Sequence, residues 1–378
     1  MNILITVHSY YPSKDGVQFV TEYHAENLVK LGHKVTVVTL NRGSNIEQET
    51  YNGVDIIRFN AWVKHSFYYG DKKKYQNLIL DLSKKTDVLI NVCTQCPTTD
   101  WVLPILSKIS CKKILYLHGM HNFTWSKMDV RTIGNVAHKI WNNLRWFFLY
   151  ATNKSKFLMY DRVVQLHEFV YGNLFFEKKY GIKATIIENA AEDSFFDNAE
   201  SVEEKYIICV ANYIEGKNQK FILEAFYKAN LDNDISLIFV GSKQTDYFKT
   251  LLKVRDILQE KYGVKKIYFL TGLTREETVE KIKKASVFAM GSKKEMFPIS
   301  IIEAMAAGVP FISTDVGCVK YLPGGVIVEN EREMAYWFKL FFQNEDLRCS
   351  TGLLGRNYAR KYLTISSKTK ELDKIIRD

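Results

Sequence analysis

Glu295 and Glu303 stand in the stretch of this chain best suited to chemistry, Ser292 to Pro310. A strand ends near Met290, a loop carries Glu295, and a helix opens near Pro298 or Ile299. Proline fits a first helical position because the N–H it lacks would have no partner there. Gly308 stops the helix and Pro310 opens the next strand. So short a helix is no scaffold. Its free N–H groups, offered around Phe297, Pro298, Ile299 and Ser300, form an anion site like that of phosphate-binding helices. Glu303 lies about one turn inside the helix and Glu295 in the loop before it. The two carboxylates therefore flank an anion site without sharing a position. One can accept hydrogen bonds from a ribose and the other from a sugar ring.

The elements that must position these groups follow an α/β alternation. Strands are expected at 3–7, 34–40, 54–59, 88–92, 113–117, 162–166 and 184–187. A second series runs 206–210, 236–240, 266–270, 286–290, 310–314 and 325–328. Helical patterns lie between them, for example Val17–Leu31 ended by Gly32, and from Glu331 the pattern is helical to the end. This predicts two doubly wound, Rossmann-like domains facing across a cleft. The first covers 1–190, a hinge covers the acidic, irregular 191–205, and the second domain covers 206–355. A C-terminal helix, 356–378, is expected to pack back toward the first domain. Ligands of such sheets bind beyond the carboxyl ends of strands. Glu295, His118 and Lys217 all follow strands.

With these residues in place, the chain resembles the retaining glycosyltransferases of family 4, built on the two-Rossmann architecture called GT-B. Glu295 and Glu303 reproduce that family's E-x7-E pattern. The flanking Glu303-Ala-Met-Ala-Ala-Gly308-Val-Pro310 and Ser313-Thr-Asp-Val-Gly317 are also similar to it. The resemblance implies that Glu303 binds the ribose hydroxyls and that Glu295 lies near the donor sugar. His118, in Leu117-His118-Gly119, matches a histidine set against that sugar. Tyr11-Pro12-Ser-Lys-Asp-Gly16 resembles the loop after the first strand, where the family has two glycines. Here Asp15 replaces the first, and Gly16 is left to approach phosphate, as the lack of a Cβ allows. Val210-Ala-Asn212-Tyr-Ile-Glu-Gly-Lys217 resembles a G-R-x4-K loop, with Lys217 on the donor diphosphate as a mobile point charge. Asn212 stands where the family has arginine, so one of two cations is absent; Lys293 or Lys294 is a candidate replacement. The implied activity is metal-independent, retaining transfer from a nucleotide-sugar, UDP favoured, to a glycan or lipid-diphosphate-linked acceptor in cell-surface polysaccharide synthesis. A catalytically silent nucleotide-sugar-binding subunit and a sugar-nucleotide epimerase of the same fold are the alternatives.

Other signals narrow the class. No G-x-G-x-x-G follows the first strand, which speaks against a dehydrogenase. Asp232-Asn233-Asp234 has the spacing of a metal-binding DxD, but it precedes a strand and so lies away from the crevice. Cys93-x-x-Cys96 has no second pair to complete a zinc site, and no metal or other cofactor is expected. The N-terminal residues show no basic leader and no cleavage site, so a cytoplasmic protein with reduced thiols is expected. Residues 1–190 hold 24 Lys and Arg against 15 Asp and Glu, and the remainder 28 against 27. The basic half is expected to face an anionic partner, such as a membrane leaflet or a phosphate-bearing acceptor, and nothing resembles a nucleic-acid-binding motif. The aromatic and basic stretch 136–156 is either a helix buried on the first sheet or one lying on an anionic membrane.

Overall fold

Val- and Ile-rich runs too short for helices form strands whose two faces are both covered, as parallel sheets require. The computed structural model describes residues 1–13, 15–44, 46–125, 129–197 and 205–378. They form two compact units, Met1–Glu188 with Thr369–Asp378, and Asn189–Lys368.

The first unit runs β1 (Asn2–Val7), α1 (Gly16–Lys30), β2 (Lys34–Leu40), β3 (Gln48–Tyr51), β4 (Val54–Phe59), β5 (Ala61–Lys64), β6 (Phe67–Gly70) and α2 (Lys72–Ser83). It continues through β7 (Val88–Val92), α3 (Pro97–Asp100), β8 (Lys112–Leu117), α4 (Ile133–Thr152), α5 (Lys154–Phe157), β9 (Arg162–Gln165), α6 (Tyr171–Tyr180) and β10 (Thr185–Ile186). Its sheet is ordered β10-β9-β8-β7-β1-β2-β4-β3. All neighbours are parallel except β3, which runs antiparallel to β4. All five residues of β7 are buried, as a central strand between helical layers demands. The order reverses between β1 and β7, so their outgoing loops diverge and leave a crevice at the strand ends.

The second unit runs β11 (Tyr206–Val210), α7 (Gln219–Lys228), β12 (Ser236–Gly241), α8 (Asp246–Tyr262), β13 (Ile267–Thr271), α9 (Arg275–Lys283) and β14 (Val287–Met290). After these come α10 (Ile299–Ala307), β15 (Phe311–Thr314), β16 (Gly325–Val328), α11 (Glu331–Gln343), α12 (Glu345–Tyr362) and α13 (Ile365–Arg377). The sheet order β13-β12-β11-β14-β15-β16 is wholly parallel. This is the 3-2-1-4-5-6 order of a dinucleotide-binding half-and-half sheet, with its reversal between β11 and β14. The α/β, Rossmann-like expectation therefore holds for both units.

The division falls between Glu188 and Asn189, two residues before the expected end of the first domain. Residues 189–197 pack into the second unit: Arg275 Nε donates to Glu192 Oε1 at 2.9 Å, and Arg360 Nη2 donates to the Phe196 carbonyl at 3.0 Å. Residues 198–204 of the expected hinge lie outside the described residues. The C-terminal helix expected over 356–378 is two helices. α12 stays with the second unit, whereas α13 from Thr369 onward belongs to the first, where Asp373 Oδ1 lies 2.8 Å from His33 Nε2.

Candidate active site

In the second unit, the loops leaving β11 and β14 are brought together where the strand order reverses. The first loop turns through Glu215–Lys217 and enters α7 at Asn218, whose φ of 48° is left-handed. The second carries Ser292 to Phe297. Lys293 N donates to the Gly216 carbonyl at 2.8 Å, tying one loop to the other. Gly291 makes this approach possible, since a Cβ there would stand 2.9 Å from the Asn218 carbonyl oxygen. Across the tie, Lys217 Nζ donates to Glu295 Oε1 at 2.6 Å, with the side chains 30% and 13% exposed. The sequence suggested each residue separately; the fold makes them one ion pair.

The Glu295 loop is held from the β15 side. Thr314 Oγ1 donates to the Ser292 carbonyl at 2.7 Å, and Cys318 N to the Met296 carbonyl at 3.1 Å. Gly317, at φ +57°, lies under that turn; a Cβ there would sit 2.3 Å from the Met296 carbonyl oxygen. Phe297 is buried, and its carbonyl accepts from Asn189 Nδ2 at 2.8 Å.

α10 starts at Ile299, with Pro298 as an extended N-cap rather than as the first helical residue. No side chain caps this end, so the N–H groups of Ile299 and Ser300 have no intrahelical acceptor. The body of the helix, including Ile301, Ile302 and Met305, is fully buried and anchors it. Glu303, one turn in, is buried too, and its Oε1 accepts from Arg275 Nη2 at 2.5 Å. Burial raises the Glu303 carboxyl above the usual carboxylate range, and the Arg275 guanidinium opposes that rise. Arg275 also bonds Glu192 and lies 5.1 Å from the Phe195 ring centroid.

Sequence reasoning missed Arg275 and Glu192. Arg275 opens a helix with a Thr274–Glu277 capping box, which reads as an ordinary solvated first turn. The available signal was the helix around Glu303: a carboxylate among Ile and Ala on a buried helix requires a cation. Asn212 is exposed, and its Oδ1 accepts from Ser242 N at 3.4 Å. Lys293 Nζ lies 3.3 Å from Glu215 Oε1, which directs its charge to the neighbouring loop.

In the first unit, Gly16 is the first residue of α1, and the Asp15 carboxylate accepts from Gln18 N at 2.9 Å. A carboxylate thus occupies the helix end where an approach to phosphate was expected. His118 follows β8 with its ring 4.6 Å from that of Tyr116. His118 Nε2 and His8 Nδ1 are enclosed without a hydrogen-bond partner among the described residues, as are Gln95 Nε2 and Gln165 Nε2. These four atoms lie at or just beyond the carboxyl ends of β8, β1, β7 and β9, which are neighbouring strands. His8, Gln95 and Gln165 were not singled out from sequence. Unbonded enclosed polar atoms at strand ends are what a hydroxyl-rich ligand would satisfy.

Burial, with a smaller contribution from His8, pushes His118 down to about 3, against the opposing pull of Asp15. The folded chain thus keeps this imidazole neutral where an unfolded chain would protonate it. Its contribution to stability is complete above the ordinary histidine value and is lost as pH falls toward the folded value. Between pH 7.5 and pH 5 the expected loss is about 2 kcal/mol. Urea denaturation at the two pH values should show a smaller loss in His118→Gln; an unchanged loss would remove the assignment.

Asp232 and Asp234 precede β12, at the sheet end opposite Lys217. Cys93 and Cys96 are buried free thiols, and burial pushes the Cys96 thiol up to about 11. Among the described residues, no group of three His, Cys, Asp or Glu side chains is placed to hold a metal.

Residues 190–328, which include Glu192, Lys217, Arg275, Glu295 and Glu303, match the family model described as Glycosyl transferases group 1. The chain is 23% identical over 361 residues to an uncharacterized glycosyltransferase of Methanocaldococcus jannaschii, covering 93% of this chain and 92% of that one. It is 29% identical over 146 residues to a capsular polysaccharide biosynthesis glycosyltransferase of Staphylococcus aureus, 38% of this chain and 40% of the relative. Further curated relatives are matched over 25% to 29% of their own length. In fold, the chain is similar to the crystal structure of Anabaena HepE in complex with UDP, with a TM-score of 0.73 at 13% identity and 100% coverage of both chains.

Proposed function

We propose that this chain is a retaining, metal-independent glycosyltransferase that takes a sugar from a nucleoside diphosphate sugar, UDP favoured. The acceptor is a glycan or a lipid-linked glycan of cell-surface polysaccharide synthesis, reached from the cytoplasm. The observation that carries this reading is the Lys217–Glu295 ion pair beside the uncapped first turn of α10. Such a place offers fixed positive groups to a diphosphate and a carboxylate to the sugar it bears. The matched domain, the relatives' names and the UDP bound to HepE support the same class.

Cleavage of the donor bond builds negative charge on the departing phosphate and positive charge on the sugar ring. In the reaction we assign, Lys217 and the N–H groups of Ile299 and Ser300 stabilise the phosphate charge, and Glu295 steadies the ring. Groups already fixed in place favour the transition state more than the ground state, which is what accelerates transfer. Glu303, its charge balanced by Arg275, is assigned to the ribose hydroxyls. The departing phosphate takes the acceptor's proton on the same face, which retains the anomeric configuration. His118, held neutral, can hydrogen-bond the sugar without adding charge. Asn212 and Gly16 are assigned to the donor side through their backbones. In this scheme Lys217 and the N–H groups of Ile299 and Ser300 meet the leaving-group charge without a metal.

Thermal denaturation with UDP-, GDP- and ADP-sugars tests the reading. A donor present at about 100 times its dissociation constant stabilises the native chain by about 2.7 kcal/mol. A raised melting temperature with UDP-sugars and a product of retained configuration by NMR are expected. A chain that no nucleotide-sugar stabilises, or an inverted product, would contradict the proposal.

A further inference from the structure

The outward face of α4 is more apolar than its inward one. Lys139, Trp146 and Tyr150 are its buried residues. Ile133, Ile140, Trp141, Leu144, Phe147 and Phe148 are exposed by 46% to 89%. At 100° per residue these six fall within about a third of the helix circumference. A water-facing helix ordinarily puts its polar residues there. The β5–β6 hairpin extends the same surface: the Phe67 ring lies 5.8 Å from Trp141, and exposed Trp62 and Tyr69 stack at 5.7 Å. Tyr68, between them in the strand, donates to Asp100 Oδ2 at 2.6 Å and fixes the hairpin to the body of the unit.

Charge around this surface is mainly positive, although Asp71 is exposed beside the hairpin and Asp129 lies 3.8 Å from Lys139, which is buried. From 130 to 160 the sequence holds five Lys and Arg and no Asp or Glu. Lys64 on the hairpin and Lys72, Lys73 and Lys74 just after it are exposed. Arg145 sits 5.1 Å from the Tyr68 ring centroid and 4.8 Å from that of Trp146, inside the aromatic surface.

We infer that this face docks the first unit on an anionic lipid bilayer. Trp, Tyr and Phe side chains enter the interfacial layer, and the lysines around them meet the headgroups. Aromatic side chains favour that layer, and cations near an anionic surface strengthen the attraction to it. A second copy would fit less well, because a two-fold contact sets the same basic patch against itself. Among the described residues no helix is long and apolar enough to cross a membrane, so this contact is one of lying on the surface. It does not depend on the reaction proposed above.

Flotation of the full chain with vesicles tests it, using phosphatidylcholine alone and phosphatidylcholine mixed with phosphatidylglycerol. The chain should float with the mixed vesicles, less so in high salt. Leu144→Glu with Phe148→Glu should lower that partition about tenfold or more, at an unchanged melting temperature. Lys154→Glu with Lys156→Glu, which leaves the apolar face intact, should lower binding to the mixed vesicles alone. Trp141 fluorescence should be quenched by brominated lipid. Failure of the wild-type chain to float, or equal flotation of the Leu144/Phe148 variant, would overturn the inference. So would a dimer in sedimentation velocity that this variant dissolves, since the face would then belong to a second copy.

Discussion

Replacing Lys217 by Ala is expected to lower turnover by on the order of 10²–10³-fold, and Glu295→Ala by a similar factor. The two substitutions together should cost little more than the worse one alone. The reason is the 2.6 Å bond between them. Each side chain is fixed by its partner, so losing either loses the arrangement, and the effects of residues acting as a unit do not add. A purely structural ion pair would behave differently. With side chains 30% and 13% exposed, the pair contributes about 1 kcal/mol or less to folding. Both variants should therefore melt within a few degrees of the unmodified chain. Steady-state rates with the donor found by thermal denaturation, set beside those melting temperatures, separate the cases. Near-normal transfer by Glu295→Ala would remove the catalytic assignment, and a double variant far slower than either single would remove the coupling.

The parallel strands of both sheets were legible because each is an apolar run bounded by turn residues, and their alternation with helices set the sheet class. The short β3 escaped because its Gln48–Tyr51 run has no apolar pattern, although Asn52-Gly53, both with positive φ, is a hairpin signal. The β5–β6 hairpin turns on His65 and Ser66, also at positive φ, and neither residue type announces that conformation. The outward apolar face of α4 was half legible. Its residues suggested burial or a membrane, but helical spacing alone does not say which face meets the sheet. At the candidate site, Glu295, Glu303 and Lys217 could be picked out by type and position. Their pairing could not. It depends on two backbone approaches, at Gly291 and Gly317, and on β11 and β14 being neighbours across a reversal. Arg275 comes from a third loop, 28 residues before Glu303, and only the folded sheet brings them together.

That unforeseen arginine is the source of the second large effect. Arg275→Ala removes the one cation bonded to Glu303 among the described contacts and leaves a buried carboxylate beside Glu192. Removing one partner of a buried pair costs about 3–5 kcal/mol. Arg275 is itself 36% exposed, so water can reach the vacated space, and about 2–3 kcal/mol is expected here. The sign of the pH dependence follows from Glu303. Burial already raises its carboxyl above the unfolded value, and Arg275 is what opposes that rise. Without Arg275 the rise is larger. A raised carboxyl leaves the folded state fully favoured only below the unfolded value, with stability lost as pH increases through the folded one. The variant's deficit should therefore be greatest at mildly alkaline pH and shrink as pH falls and Glu303 takes up a proton. Glu303→Gln in the Arg275→Ala background should restore most of the lost stability at neutral pH, because no buried charge remains, while leaving donor affinity low. Urea denaturation across that pH range measures the first effect and calorimetric donor titration the second. A deficit that does not change with pH, or that Glu303→Gln leaves in place, would mean that Arg275 acts by packing on Phe195 and not by balancing the Glu303 charge.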